Sequence, residues 1–317
     1  MKRRALSALS VAASVGVLAW TLSRDWQTLR ALRLHEPALI ALLPCLVTTH
    51  IFFTGRLADV VLTRLGLHLR IGETFGLAVL SRVGNHLAPR GGAVVRALYL
   101  QRRYGCALVD FVSATAAASA TNLLLTLVLA SLALTAIPGK ELQLPALRAA
   151  VPALAAGMLI AALLAPRFGA MTTQRWPKLA RLMAGWRLVW SDPRVLLRSM
   201  GFGLLQIAAG TMLTLLEFRL IGAPVSIAAA LFLTTAGSLH YLVKLTPAGI
   251  GIHESVVVLA GLAVGIPPAA ALCTVLLRRC AIVSVLLALG PVFAARLLLS
   301  WQDLRITRKP LTEADRP

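Results

Sequence analysis

Acidic residues are scarce in this sequence: 12 Asp and Glu stand against 32 Lys and Arg, and charged residues of both signs make up only 14% of 317. A soluble domain has about a quarter of its residues charged and about half apolar. Here apolar residues reach 58% and mean hydropathy is +0.80, which excludes an ordinary soluble fold. Alternating polarity is missing as well. Runs such as Ala107–Ile137 lack the two-residue period of barrel strands, which excludes a membrane β-barrel. No Cys-x-x-Cys occurs, and Cys45, Cys106, Cys273 and Cys280 lie in or beside apolar segments, where they are expected to be small core residues and neither disulfide partners nor metal ligands. No Gly-x-x-x-x-Gly-Lys-Ser/Thr loop is present. His253 and Glu254 begin a zinc-protease signature, but Val257 stands where its second histidine is needed.

What the chain does hold is a series of apolar runs long enough for a bilayer core of roughly 30 Å, which takes about 20 residues per helix. The expected fold is an all-α polytopic membrane protein with about 7 spanning helices and two broken or re-entrant segments. Spans are expected over Ala5–Leu22, Pro37–Thr54, Ala107–Ile137, Ala149–Ala165, Ser199–Ile221, Val225–Val243 and Pro268–Leu298, with a short apolar piece at Ser255–Gly265. The formal charge of +20 belongs to the connections between them. Arg56, Arg64 and Arg70, the arginine-rich stretch Pro166–Arg198 and the terminal Arg305, Arg308 and Lys309 fall on the cytoplasmic side if basic loops stay inside, facing anionic headgroups. Both termini are then cytoplasmic in an inner or plasma membrane. Residues 1–298 read as one transmembrane domain and 299–317 as a polar, disordered tail. Nucleic acid is not an expected partner, because no basic face is interleaved with aromatics.

Two segments break the pattern. Between Ile71 and Gly105 the run is interrupted by Arg82, Asn85, Pro89, Arg90, Gly91, Gly92 and Arg96; the other interruption is KLTPAGIGIHE, which places Lys244, Pro247, Gly249, Gly251 and Glu254 between apolar runs. Aligned on their prolines, Leu87 meets Leu245, Pro89 meets Pro247, Gly91 meets Gly249 and Arg96 meets Glu254. By the topology above, the first segment is entered from the cytoplasm and the second from outside, as in an inverted repeat. Proline removes a backbone donor and glycine permits helix-ending conformations, so polar backbone is freed at depth. Such backbone survives only where protein buries it or a watery cavity solvates it. Arg278 and Arg279 sit mid-helix, about 100° apart, so one is expected to face the cavity with Glu254 while the other finds a neighbouring helix. Glu217 and Arg219 read as interfacial, and Asp110 and Asn122 as bridges between helices.

The stretch Pro247-Ala-Gly-Ile-Gly-Ile-His-Glu254, followed by Gly261 or Gly265 and by Arg278 or Arg279, resembles the carboxy-terminal signature of the lysylphosphatidylglycerol synthase transmembrane-domain family of flippase-like proteins. Asn85 and Pro89-Arg-Gly-Gly-Ala-Val-Val-Arg96 resemble its first re-entrant motif. The likeness spans roughly residues 5 to 298. The sequence departs from the pattern at Ala93, where an acidic residue is frequent, and at Ala248, where glycine is common. No segment after Leu298 matches the aminoacyl transferase of the synthases, so the chain is expected not to be an enzyme.

The resemblance implies movement of a lipid or lipid-linked glycan between leaflets. The residues point the same way: Arg82, Arg90, Arg96, Lys244, Arg278 and Arg279 outnumber Glu254, so an anionic headgroup is the expected guest, held by guanidinium forks with Asn85 nearby. No cofactor or metal is expected. The rival expectation is a non-catalytic subunit that scaffolds lipid-biosynthesis enzymes, with the Pro166–Arg198 stretch as its docking surface.

Overall fold

A computed structural model describes residues 34–172, 189–239, 246 and 249–307, and every regular element among them is helical. After a 3-10 turn at Pro37–Ala41 come α1 (Leu42–Arg64), α2 (Ile71–Leu87), α3 (Gly91–Tyr104), α4 (Leu108–Ala136), α5 (Leu147–Thr172), α6 (Pro193–Leu220), α7 (Ile227–Ser238), α8 (Ile252–Ala263) and α9 (Pro268–Thr307). Five of them are long and apolar enough to cross a membrane: Pro37–Arg64, Leu108–Ala136, Leu147–Leu164, Pro193–Leu220 and Pro268–Leu297. The protein is thus a multi-pass helical membrane protein. The expected first span, Ala5–Leu22, lies outside the described residues, as do residues 173–188 of the Pro166–Arg198 stretch.

Several boundaries differ from expectation. The second span runs ten residues beyond Thr54, so Arg56 and Asp59 are helical and pair through a 2.5 Å contact. α6 starts at Pro193, where Asp192 accepts a hydrogen bond from the Arg194 amide (2.8 Å) and proline suits the first turn, whose amides have no helical partner. α7 is shorter than the span expected over 225–243. α9 continues past Leu298 to Thr307, so helix reaches into the segment read as tail. Cys45 and Cys280 are exposed on helix surfaces and are not core residues.

Both breaks are helical hairpins. In the first, Ala88 is extended, as a residue before proline tends to be, and Arg90 takes a left-handed φ of 62° before α3 begins. The arms then meet backbone to backbone. A Cβ on Gly84 would stand 2.9 Å from the Gly91 carbonyl, and one on Gly91 or Gly92 would collide with the Gly84 or Ser81 carbonyl. In the second, Gly249 and Gly251 hold positive φ of 68° and 83°, and α8 begins with the Gly251 amide donating to Glu254 Oε2 (2.7 Å). At about 18 Å each, α7 and α8 reach little more than halfway through a bilayer core.

The halves repeat. α1 and α6 run antiparallel as the central pair: Arg64 at the end of α1 is bonded to Asp192 at the start of α6, while the His35 amide donates to the Leu220 carbonyl (2.9 Å) and Arg219 pairs with Glu36 (2.8 Å) at the other end. The hairpin after α1 and the hairpin after α6 therefore start from opposite faces. Partner choice follows the same rule, with α1 packing on α2 and α9 where α6 packs on α7 and α4, and α2 packing on α9 where α7 packs on α4. Asp59 and Glu217 also stand thirty residues ahead of Pro89 and Pro247 respectively. The repeat units are accordingly α1–α4 and α6–α9, joined by α5. They differ in one respect: α8 packs closely along α9, whereas α3 barely touches α4.

Candidate functional site

The two hairpin tips meet in one cavity of about 150 Å³, walled by α1, α4, α6 and α9. Room of that size admits several waters. Arg82, Asn85 and Arg90 enter it from the first hairpin, Gly249 from the second, and Arg278 and Arg279 from α9. Arg96 lies farther along α3, half-buried and away from the lining. Lys244 and Pro247 are outside the described residues.

Most of these groups are already engaged. Asn85 Oδ1 accepts the Gly92 amide (2.9 Å), which ties the tip of the first hairpin together. Arg278 forks onto Glu217, Nε to Oε1 at 2.9 Å and Nη2 to Oε2 at 2.7 Å, and also donates to Thr214 Oγ1 at 2.7 Å, which in turn bonds Thr234 across to α7 at 2.8 Å. Glu217 is 1% exposed, so it is a buried counter-ion and not the interfacial residue its place near the helix end implied. Arg279 donates from Nε to Glu254 Oε1, whose other oxygen caps α8. Asp110 is exposed at the start of α4 and bridges no helices among the described residues, whereas Asn122 lines the cavity.

Charge in the cavity is therefore uneven. Two of its four arginines are matched one to one by buried carboxylates, and no Asp or Glu is itself among the lining residues. Arg82 donates to a ring nitrogen of His50 on α1 (3.0 Å), a partner that carries no negative charge. His86 bonds the Arg82 carbonyl (2.9 Å), and Arg90 is exposed at the tip. Among the described residues, the surplus of positive charge sits on the first hairpin.

Two contributors, His50 and Gln206, were not picked out from the sequence, and a third, Glu217, was read as interfacial. Each is a polar residue inside an apolar helix, and that isolation is the available signal, because a polar group in the bilayer interior is costly unless it has a partner or water. A further cluster closes the open end of the first hairpin. Glu73, buried in the first turn of α2, accepts hydrogen bonds from Tyr99 and from Tyr104 (2.8 Å) and pairs with Arg103 (3.2 Å). Burial, and then the Glu73 carboxylate, push both phenols above their ordinary range.

Comparison with known proteins then places the chain: residues 7–290 match the family described as Lysylphosphatidylglycerol synthase TM region. The chain belongs to that family. Its members' shared part is the membrane-embedded, non-catalytic region of the synthases, and the match takes in both hairpins and every cavity residue named above. No curated protein and no solved structure matches the chain.

Proposed function

We propose that this protein carries an anionic lipid, or a lipid-linked intermediate, from one leaflet to the other by passing its headgroup through the cavity while the tails stay in the bilayer. Family membership supports a role in lipid metabolism or transport. The observation that carries the finer reading is the meeting of two oppositely entering hairpins at a cavity whose uncompensated charge is cationic.

In this reading Arg82 and Arg90 are the phosphate ligands, since each guanidinium offers a planar fork and neither is neutralised by a carboxylate among the described residues. Arg278 and Arg279 hold α9 to α6 and to the second hairpin and add positive potential at closer range than water would allow. The uneven packing of α3 on α4 and α8 on α9 supports alternation between two forms in which the halves exchange roles.

The experiment is reconstitution into vesicles with a short-chain fluorescent anionic lipid. Wild type should move it, and Arg82→Gln combined with Arg90→Gln should slow it by about tenfold or more, the effect of losing one charge-assisted hydrogen bond or more. Unchanged movement in the double variant rejects the site.

A further inference from the structure

Gln206 falls near the middle of α6, where a spanning helix is deepest in the bilayer. It is 8% exposed, lines the cavity and makes no hydrogen bond to any described residue. Its amide atoms are not among the fully occluded, unpartnered polar atoms, which include Asn122 Oδ1 and Thr246 Oγ1. An unpaired carboxamide at that depth is unfavourable unless water or a guest satisfies it.

Its neighbours show what kind of guest fits. One turn earlier, Gly203 meets Asn122, whose Oδ1 is 3.2 Å from where a Cβ would stand; one turn later, Gly210 meets His50, the partner of Arg82. Gln206 and Gly210 are about 6 Å apart along the axis of α6, so the neutral amide and the His50–Arg82 pair belong to successive turns of one cavity wall. A carboxamide both donates and accepts, which matches a hydroxyl. An ammonium would need a free carboxylate, and both buried carboxylates near the cavity are taken by Arg278 and Arg279.

Resting on the transport reading for the site, we infer that Gln206 selects the headgroup: the guest is a phosphate-bearing lipid whose headgroup is a polyol, such as inositol, glycerol or a sugar, with a hydroxyl on Gln206 and its phosphate on Arg82. Amino-alcohol headgroups and a bare phosphate leave the amide unmatched. Gln206 replaces water by hydroxyl when the headgroup enters, so it favours headgroups that return the hydrogen bonds they displace.

The test is equilibrium binding to the purified full chain in detergent, which needs no transport. Probes are dihexanoyl phosphatidylinositol, dihexanoyl phosphatidic acid, dihexanoyl phosphatidylethanolamine and inositol 1-phosphate, which has the same headgroup without chains. Wild type should bind the phosphatidylinositol about tenfold tighter than the phosphatidic acid, the scale of one hydrogen bond, with the ethanolamine lipid and the chain-free inositol phosphate weaker still. Gln206→Leu should bring the ratio of the first two to parity, with an unchanged thermal midpoint as the check on folding. Should that variant not fold, the wild-type ladder of probes decides alone. Equal binding of the inositol lipid and phosphatidic acid, a preference that survives Gln206→Leu, or inositol 1-phosphate binding as tightly as the lipid overturns the inference. A polyol preference without lipid movement would reject transport and leave this assignment standing; movement without the preference would do the reverse.

Discussion

At the scale of single residues, the arginines divide by what faces them. Arg278 and Glu217 form a buried forked pair, and deleting one partner of such a pair leaves the other charged and unsatisfied, at a cost of about 3 to 5 kcal/mol. Arg278→Ala should therefore lower the thermal midpoint in detergent sharply, and adding Glu217→Gln should recover much of the loss; equal midpoints for the single variant and wild type would contradict the pairing. Arg90 presents a different case, a non-glycine residue with φ of 62° at the hairpin tip. The left-handed conformation costs roughly 1 kcal/mol for a residue with a Cβ. Arg90→Gly should match or exceed Arg90→Ala in thermal midpoint while both slow anionic lipid movement alike; a less stable glycine variant would show that the tip is not strained. The charged residues were legible in the sequence because a cation in an apolar run has few stable options. That one of Arg278 and Arg279 meets Glu254 was legible too; that it is Arg279, and that Glu217 takes Arg278, was not. α1 and α6 are apolar nearly all round, so no periodicity fixes which way His50, Gln206 or Glu217 points.

Among the elements, the two hairpins determine the site, and both were visible as proline and glycine clusters inside apolar runs. What the sequence could not convey was how the first hairpin closes. Gly84, Gly91 and Gly92 let its arms touch through backbone, and Glu73 with Tyr99, Tyr104 and Arg103 fastens its open end. These contacts join residues far apart in the chain through side chains with no spacing rule. Gly92→Ala should destabilise the protein by about 1 to 3 kcal/mol, since the added methyl meets the Ser81 carbonyl and the neighbouring backbone has little room to yield. Thermal unfolding in detergent checks it, and a neutral effect would mean that the arms can separate without loss. Helix ends were the weakest expectation: Arg56 looked like a loop residue because it is charged, but Asp59 one turn on neutralises it and the helix continues.

Across the whole molecule, the ten-residue likeness around Pro89 and Pro247 stands for a larger correspondence of α1–α4 with α6–α9. Helices outside the hairpins share partner pattern more than sequence, which is why only the tips betrayed the repeat. If the halves exchange roles during transport, α3 must close on α4 as α8 leaves α9. Spin labels at Leu98→Cys on α3 and Val112→Cys on α4, both exposed positions, in a chain freed of its four native cysteines should then give a distance distribution with a second, shorter population that grows with anionic lipid. A single distance unmoved by lipid would contradict alternation.

The central claim is that a headgroup with negative charge crosses between the hairpins. The most direct measurement is transbilayer movement of paired fluorescent lipids, one anionic and one zwitterionic with the same chains, in vesicles holding wild-type protein, the Glu254→Gln variant, or no protein. Movement of the anionic lipid well above that of the zwitterionic one, and its loss in Glu254→Gln as Arg279 and the α8 cap are disturbed, is the predicted result. Movement no faster than in empty vesicles, or equal for both lipids and in the variant, would contradict it.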